Sequence, residues 1–160
     1  MNSTGLKALF RQVFASAPDL TERQQQLIRA SFESVLPVRE AAATLFCQRL
    51  AHDPRLNALF RRQMNGHGPM AIMGTIVEHS HCMERLEPAL RDLGRRYDSY
   101  GVTDREYDTV AAALVWTLEQ ELGSDFTAET REAWTACCHI VADGMKAAAN
   151  ERNLPLLPPC

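Results

Sequence analysis

The chain reads as a single all-α domain. Apolar residues recur at helical spacing along almost its whole length, strand alternation is essentially absent, and capping residues, prolines and glycines stand where helices would begin and end. Leu6, Leu9, Phe10, Val13 and Phe14 follow an i, i+3, i+4, i+7, i+8 pattern, which predicts a short amphipathic helix over residues 3–17. Thr21 with Gln24 three residues on matches a capping box and opens a second helix carrying Leu27, Ile28, Phe32 and Val35, which stops near Pro37. Residues 38–52 read as a third helix with Ala41, Leu45 and Leu50 as its apolar side, and a short helix follows Asp53-Pro54 as far as Phe60.

Asn65, Gly66, Gly68 and Pro69 form a cluster that no helix interior tolerates, so a loop is expected there. Pro69 suits a first helical position and puts Met70, Met73, Ile76 and Val77 on one face of the next helix, which is expected to run to about Met83. Pro88 and Gly101 bracket another helix, with Leu90, Leu93 and Tyr97 recurring on one side. Thr103 caps a long helix with Tyr107, Val110, Leu114 and Leu118 inward, closed by Gly123; Thr127 caps the last, with Trp134, Cys138, Val141 and Met145 inward. The Pro- and Leu-rich residues 153–160 end helix formation, and there are no internal repeats.

Composition narrows the function classes. At 160 residues, 46% hydrophobic and 23% charged, the chain has room for one well-buried domain and no second enzymatic module. No stretch has the roughly 18–20 uninterrupted apolar residues of a membrane span. Residues 1–17 carry Lys7 and Arg11 without a continuous apolar run, so no secretory signal is expected and the cytoplasm is the expected location. A net charge of −3 with interleaved signs offers no basic patch to grip a nucleic acid. Five cysteines without CxxC or Cys/His zinc spacing suggest reduced thiols, with Cys137 and Cys138 serving as small buried hydrophobes.

The later strings are more specific. Leu93-Gly94-Arg95-Arg96-Tyr97, Tyr100-Gly101-Val102, residues 114–119 (Leu-Val-Trp-Thr-Leu-Glu) and Phe126-Thr127 through Ala133-Trp134 resemble the globin family, especially bacterial single-domain globins, flavohaemoglobin globin domains and neuroglobins. The likeness covers roughly residues 20–145. It implies a globin fold of seven to eight helices around a tetrapyrrole-sized pocket, with residues 1–19 as an N-terminal amphipathic extension, 20–150 as the globin-like domain and 151–160 as a tail.

Carried over residue by residue, the resemblance rewrites that pocket. Phe60 matches the family's haem-packing phenylalanine, while the iron-binding histidine of the family's Leu-Gly-Arg-Arg-His string falls on Tyr97. The distal polar residue falls on Asn65, the apolar residue one turn later on Pro69, and the pocket tyrosine of bacterial globins on Cys47. Tyr107 matches the tyrosine that flavohaemoglobins set beside the proximal histidine, but their partnering glutamate falls on Ala149. A phenolate is a hard anionic ligand that favours ferric iron and disfavours reversible oxygen carriage. Its proton, leaving a group of ordinary pKa about 10, would be drawn off by ferric iron or by a cation such as Arg95 or Arg96.

The candidate pocket set is therefore Tyr97, Phe60, Cys47, Asn65, His67, Met70, Met73, Arg96, Val102, Tyr107, Val110 and Cys138, with Tyr97 and, from the distal side, His67 as iron ligands. Plainer readings stand beside these: Tyr97 as a space-filling tyrosine, His67 as an exposed loop residue, Met70, Met73 and Cys47 as packing, His79 and His81 as surface groups, and His139 as a core residue. The cofactor implied is haem or a biliverdin-type bilin, whose carboxylates would look to Arg95 or Arg96. The role expected is that of a sensor or carrier rather than a reversible oxygen carrier. Two alternatives remain open: a haem-free interaction module whose N-terminal helix meets a protein partner, and a haem enzyme with peroxidase-like or nitric-oxide chemistry. A homodimer is expected by analogy.

Overall fold

A computed structural model of the chain describes residues 20–62, 69–81 and 83–150. The helix expected over 3–17, the loop at 65–68, Cys82, Cys160 and the tail lie outside them. Seven α-helices follow in order among the described residues: α1 Glu22–Val35, α2 Arg39–Arg49, α3 Pro54–Arg62, α4 Pro69–Glu78, α5 Glu87–Ser99, α6 Asp104–Leu122 and α7 Ala128–Asn150. Short 3₁₀ turns at Leu36–Val38, Met83–Leu86 and Gly123–Asp125 join some of them. No described helix is long and apolar enough to cross a membrane.

The helix starts follow from local chemistry. Thr21 and Gln24 form the expected capping box, the Gln24 N–H donating to Thr21 Oγ1 at 3.1 Å and the Thr21 N–H to Gln24 Oε1 at 3.0 Å. Asp53 takes the Leu56 N–H at 3.1 Å and so opens α3. At α6 the Thr103 N–H donates to Glu106 at 2.7 Å.

Two expectations need correction. The buried side of α2 is Ala42, Phe46 and Cys47, continued by Leu50, while Ala41 is exposed and Leu45 only half-buried. The 3₁₀ turn at Leu36–Val38 delays α2 to Arg39, and the face bearing Phe46 offers more apolar surface to bury than the one bearing Ala41. Helix α4 ends at Glu78 rather than near Met83. There the Val77 carbonyl, which a further turn would have offered to residue 81, takes the Ser80 hydroxyl at 2.9 Å and the Ser80 N–H at 3.3 Å, while His79 Nδ1 lies 3.0 Å from the Thr75 carbonyl.

Helix α7 is the hub, with α5, α1 and α6 packed against it and α2 against α6. Trp134, at its centre, is buried and donates its indole N–H to Ser31 Oγ of α1 at 2.8 Å, and the Ser31 hydroxyl donates in turn to the Leu27 carbonyl at 2.6 Å. The α5–α7 contact is closest at Gly94: a Cβ there would stand 2.5 Å from the Met145 carbonyl oxygen and 3.0 Å from Ala148 Cβ. Only glycine lets the two backbones approach so far.

Candidate functional site

Helix α5 carries the residue on which the site turns. Leu90, Leu93 and Tyr97 lie along its inner side at helical spacing, with Leu90 and Tyr97 fully buried. The helix ends in a Schellman motif: the Val102 N–H donates to the Tyr97 carbonyl at 3.0 Å, the Gly101 N–H to the Asp98 carbonyl at 2.9 Å, and Gly101 sits at φ +76°. Arg55 of α3 then donates to the Gly101 carbonyl at 2.7 Å and pairs with Glu106. The Tyr-Gly-Val string thus fixes the backbone of Tyr97 from below, and the Gly94 crossing fixes it from behind.

Tyr97 forms part of the wall of a cavity with an empty volume of about 700 Å³, its open mouth included. Phe46, Phe60, Met73, Ile76 and Leu93 contribute from α2 to α5; Tyr107, Val110, Ala111 and Leu114 from α6; Trp134, Cys137, Cys138, Val141, Ala142 and Met145 from α7. A run of aromatic contacts crosses it. Phe46 meets Phe60 edge-to-face at 5.1 Å between centroids, Phe60 meets Tyr97 edge-to-face at 5.9 Å, and Tyr97 lies 6.4 Å from Tyr107 at a tilt of 42°.

The site's polar atoms are few. Burial, seconded by Tyr107, raises the pKa of the Tyr97 hydroxyl well above the ordinary phenol value, and Arg96, itself exposed, opposes this only weakly. The expectation that a neighbouring arginine draws off the Tyr97 proton is therefore not met by the protein alone, because desolvation outweighs a solvated cation. Tyr107 is pushed up to about 12, first by burial and then by Asp98 and Asp104. Burial likewise raises Cys137 and carries Cys138 to about 12, so both thiols are inert, protonated lining. The Tyr107 hydroxyl is buried without a hydrogen-bond partner among the described residues.

Of the residues predicted from sequence, the fold brings Tyr97, Phe60, Met73, Tyr107, Val110 and Cys138 together on the cavity. Others stand elsewhere. Cys47 is buried but does not line the cavity; its neighbour Phe46 does. Val102 packs on the core as the C-cap contact of α5 and not on the cavity. Arg96 is exposed. Asn65 and His67 lie outside the described residues, and so does the side chain of Met70. His81 and His139 are exposed and His79 is occupied at the end of α4, so no described histidine reaches the lining. Ile76, Leu93, Leu114, Trp134, Val141 and Met145, read from sequence only as inward helix residues, line the cavity as well, and so do Phe46, Ala111, Cys137 and Ala142, the last two at helical spacing from Trp134 and Cys138.

Comparison with known families decides what this arrangement is. The globin family model matches residues 29–145. The chain belongs to the globin family. Similar proteins include the neuroglobin of Danio rerio, 29% identical across 79% of this chain and 90% of the relative, that of Chaenocephalus aceratus at 28%, and neuroglobin-1 of Oncorhynchus mykiss at 28%, each with the same coverage. The globin family implies a tetrapyrrole ligand, and the cavity fits one by its own features. Its lining is nearly all apolar, the surface that the faces of a flat macrocycle would meet, and the rings of Tyr97 and Tyr107 form part of it. Among the described residues no group of three or more His, Cys, Asp or Glu side chains could hold a bare metal ion. An iron that comes with its own macrocycle needs only one protein atom.

Proposed function

We propose that this globin binds a tetrapyrrole in the α2–α7 cavity, with the Tyr97 oxygen as the protein's ligand when that tetrapyrrole is ferric haem, and that it serves as a sensor or carrier rather than a reversible oxygen store. One observation carries the reading: the buried Tyr97, at the end of a string that in other globins ends in the iron-binding histidine, lines an apolar cavity between the helices. Haem bound there would supply ferric iron, an acid strong enough to take the phenol in its anionic form. Phe60, backed by Phe46, packs edge-to-face on the ring of Tyr97, and the lining around it is apolar. The described lining has no carboxylate or imidazole to move protons for a reaction, which supports binding over catalysis.

Titration of the protein with hemin, followed by absorption, tests this. Saturable binding with a tyrosinate-to-iron charge-transfer band is expected. Tyr97→Phe, which keeps the ring and loses only the oxygen, should abolish that band and weaken binding at least tenfold, about 1.4 kcal/mol. A variant spectrum identical to the wild type would remove Tyr97 from the ligand role. Biliverdin is titrated in parallel: a sharpened red absorption together with loose hemin binding would transfer the cavity to a linear bilin, and no saturable change with either would leave a haem-free interaction module.

A further inference from the structure

Helix α3 is only nine residues long and buries two side chains, Leu56 and Phe60, yet it delivers the ring that meets Tyr97 edge-to-face at 5.9 Å. So short a helix does not hold its own place, because isolated helices below about 12–15 residues are marginal. Two side-chain hydrogen bonds to backbone carbonyls tie it down. Asn57 Nδ2 donates to the Cys47 carbonyl of α2, and Arg55 Nη2 donates to the Gly101 carbonyl, beyond the end of α5, at 2.7 Å. The same Arg55 nitrogen donates to Glu106 Oε2, which also accepts the Thr103 N–H at 2.7 Å.

The Gly101 carbonyl belongs to the left-handed residue that closes α5, and in the same turn the Val102 N–H donates to the carbonyl of Tyr97 itself at 3.0 Å. Arg55 thus grips, with one guanidinium, the turn that ends α5 and the capping box that starts α6. Phe60 stands five residues on, about 7.5 Å further along α3. Helix α3 therefore engages Tyr97 twice, at its ring through Phe60 and at its backbone turn through Arg55. Stability does not account for that arginine, since its side chain is 55% exposed and ion pairs in such surroundings contribute little to folding. We propose that Arg55 is a positioning residue for Tyr97: by holding the α5–α6 corner onto α3 it sets the meeting of Phe60 with Tyr97, and with it the orientation of the phenol ring on the cavity wall. The consequence for a bound guest rests on the tetrapyrrole reading above.

The test compares Arg55→Ala with Arg131→Ala, which breaks an ion pair of similar exposure between α6 and α7. Nuclear magnetic resonance of the ligand-free, full-length protein carrying isotope-labelled tyrosine reads the ring of Tyr97, whose signals are identified by their loss in Tyr97→Phe. The ring current of Phe60 displaces those signals, so Arg55→Ala should move them and Arg131→Ala should not. Arg55→Ala should lower the melting temperature by no more than about 4 °C. Its affinity for hemin should fall about 5- to 10-fold, short of the roughly 10- to 100-fold typical when a direct partner of a metal ligand is lost. Unmoved ring signals in Arg55→Ala, or equal movement in Arg131→Ala, would overturn the proposal. So would a melting temperature lowered well beyond that limit, which would make Arg55 a support of the whole domain. Moved signals with an unchanged hemin affinity would end its role toward the guest. Because the ring signals are read without haem, a wild type that fails to bind hemin removes the tetrapyrrole reading and leaves the hold of Arg55 on Tyr97 to stand or fall on them.

Discussion

Ser31 shows how a single polar atom can hold the centre of an apolar domain. Its hydroxyl accepts the Trp134 indole N–H and donates to the carbonyl of Leu27, so one small side chain satisfies the largest buried residue of α7. Ser31→Ala strands the indole N–H where water cannot replace the partner, and should cost about 1–3 kcal/mol in urea denaturation. A loss below about 0.5 kcal/mol, the ordinary scale of surface substitutions, would mean that the bond contributes nothing net. Sequence reasoning found Trp134 as an inward residue because it shares a helical face with Cys138, Val141 and Met145. It did not find Ser31 as its partner, since nothing local couples residues 103 positions apart. Cys47 is the converse case: the family resemblance placed it at the pocket, and in the fold it is buried beside the cavity while its neighbour Phe46 lines it. Tyr97, Phe60 and Tyr107 were legible because a specific string and a helical period agreed on each.

The elements that aim Tyr97 depend on two kinds of glycine. Gly94 lies where α5 and α7 touch backbone to backbone, and Gly101 takes the left-handed conformation that closes α5. Gly74, inside α4, has room, since a Cβ there would meet Phe32 only at 3.6 Å. Gly94→Ala must force α5 away from the Met145 carbonyl and should destabilise by about 1–3 kcal/mol. Gly74→Ala should instead be neutral or stabilising by up to about 1 kcal/mol, because the same methyl group removes backbone freedom from the unfolded chain without a clash. Denaturation midpoints of the two variants side by side check this, and equal effects would mean that the close crossing does not constrain the fold. Helix starts were readable from sequence because caps are local. The early end of α4 was not, since Ser80 takes the Val77 carbonyl with a geometry that apolar spacing does not register.

At the scale of the molecule, six of the seven described helices close on a cavity whose wall is apolar except for two phenols and a pair of protonated thiols. Period and capping made the all-α architecture legible, and the strings around Tyr97 and Trp134 made the family legible. The polarity of the cavity was not, because it depends on which residues of six helices meet, and on burial strong enough to keep Tyr97 neutral despite Arg96. A wall of this kind offers a flat apolar guest contact surface, with the rings of Tyr97 and Tyr107 among it.

The most direct test of that account is a resonance Raman spectrum of the wild-type protein loaded with ferric haem, excited within the charge-transfer absorption. Enhanced ring vibrations of an iron-bound tyrosinate, absent in Tyr97→Phe, are the predicted result. A loaded protein without tyrosinate vibrations, or with the same ones in Tyr97→Phe, would contradict the assignment of Tyr97 as the residue that holds the iron.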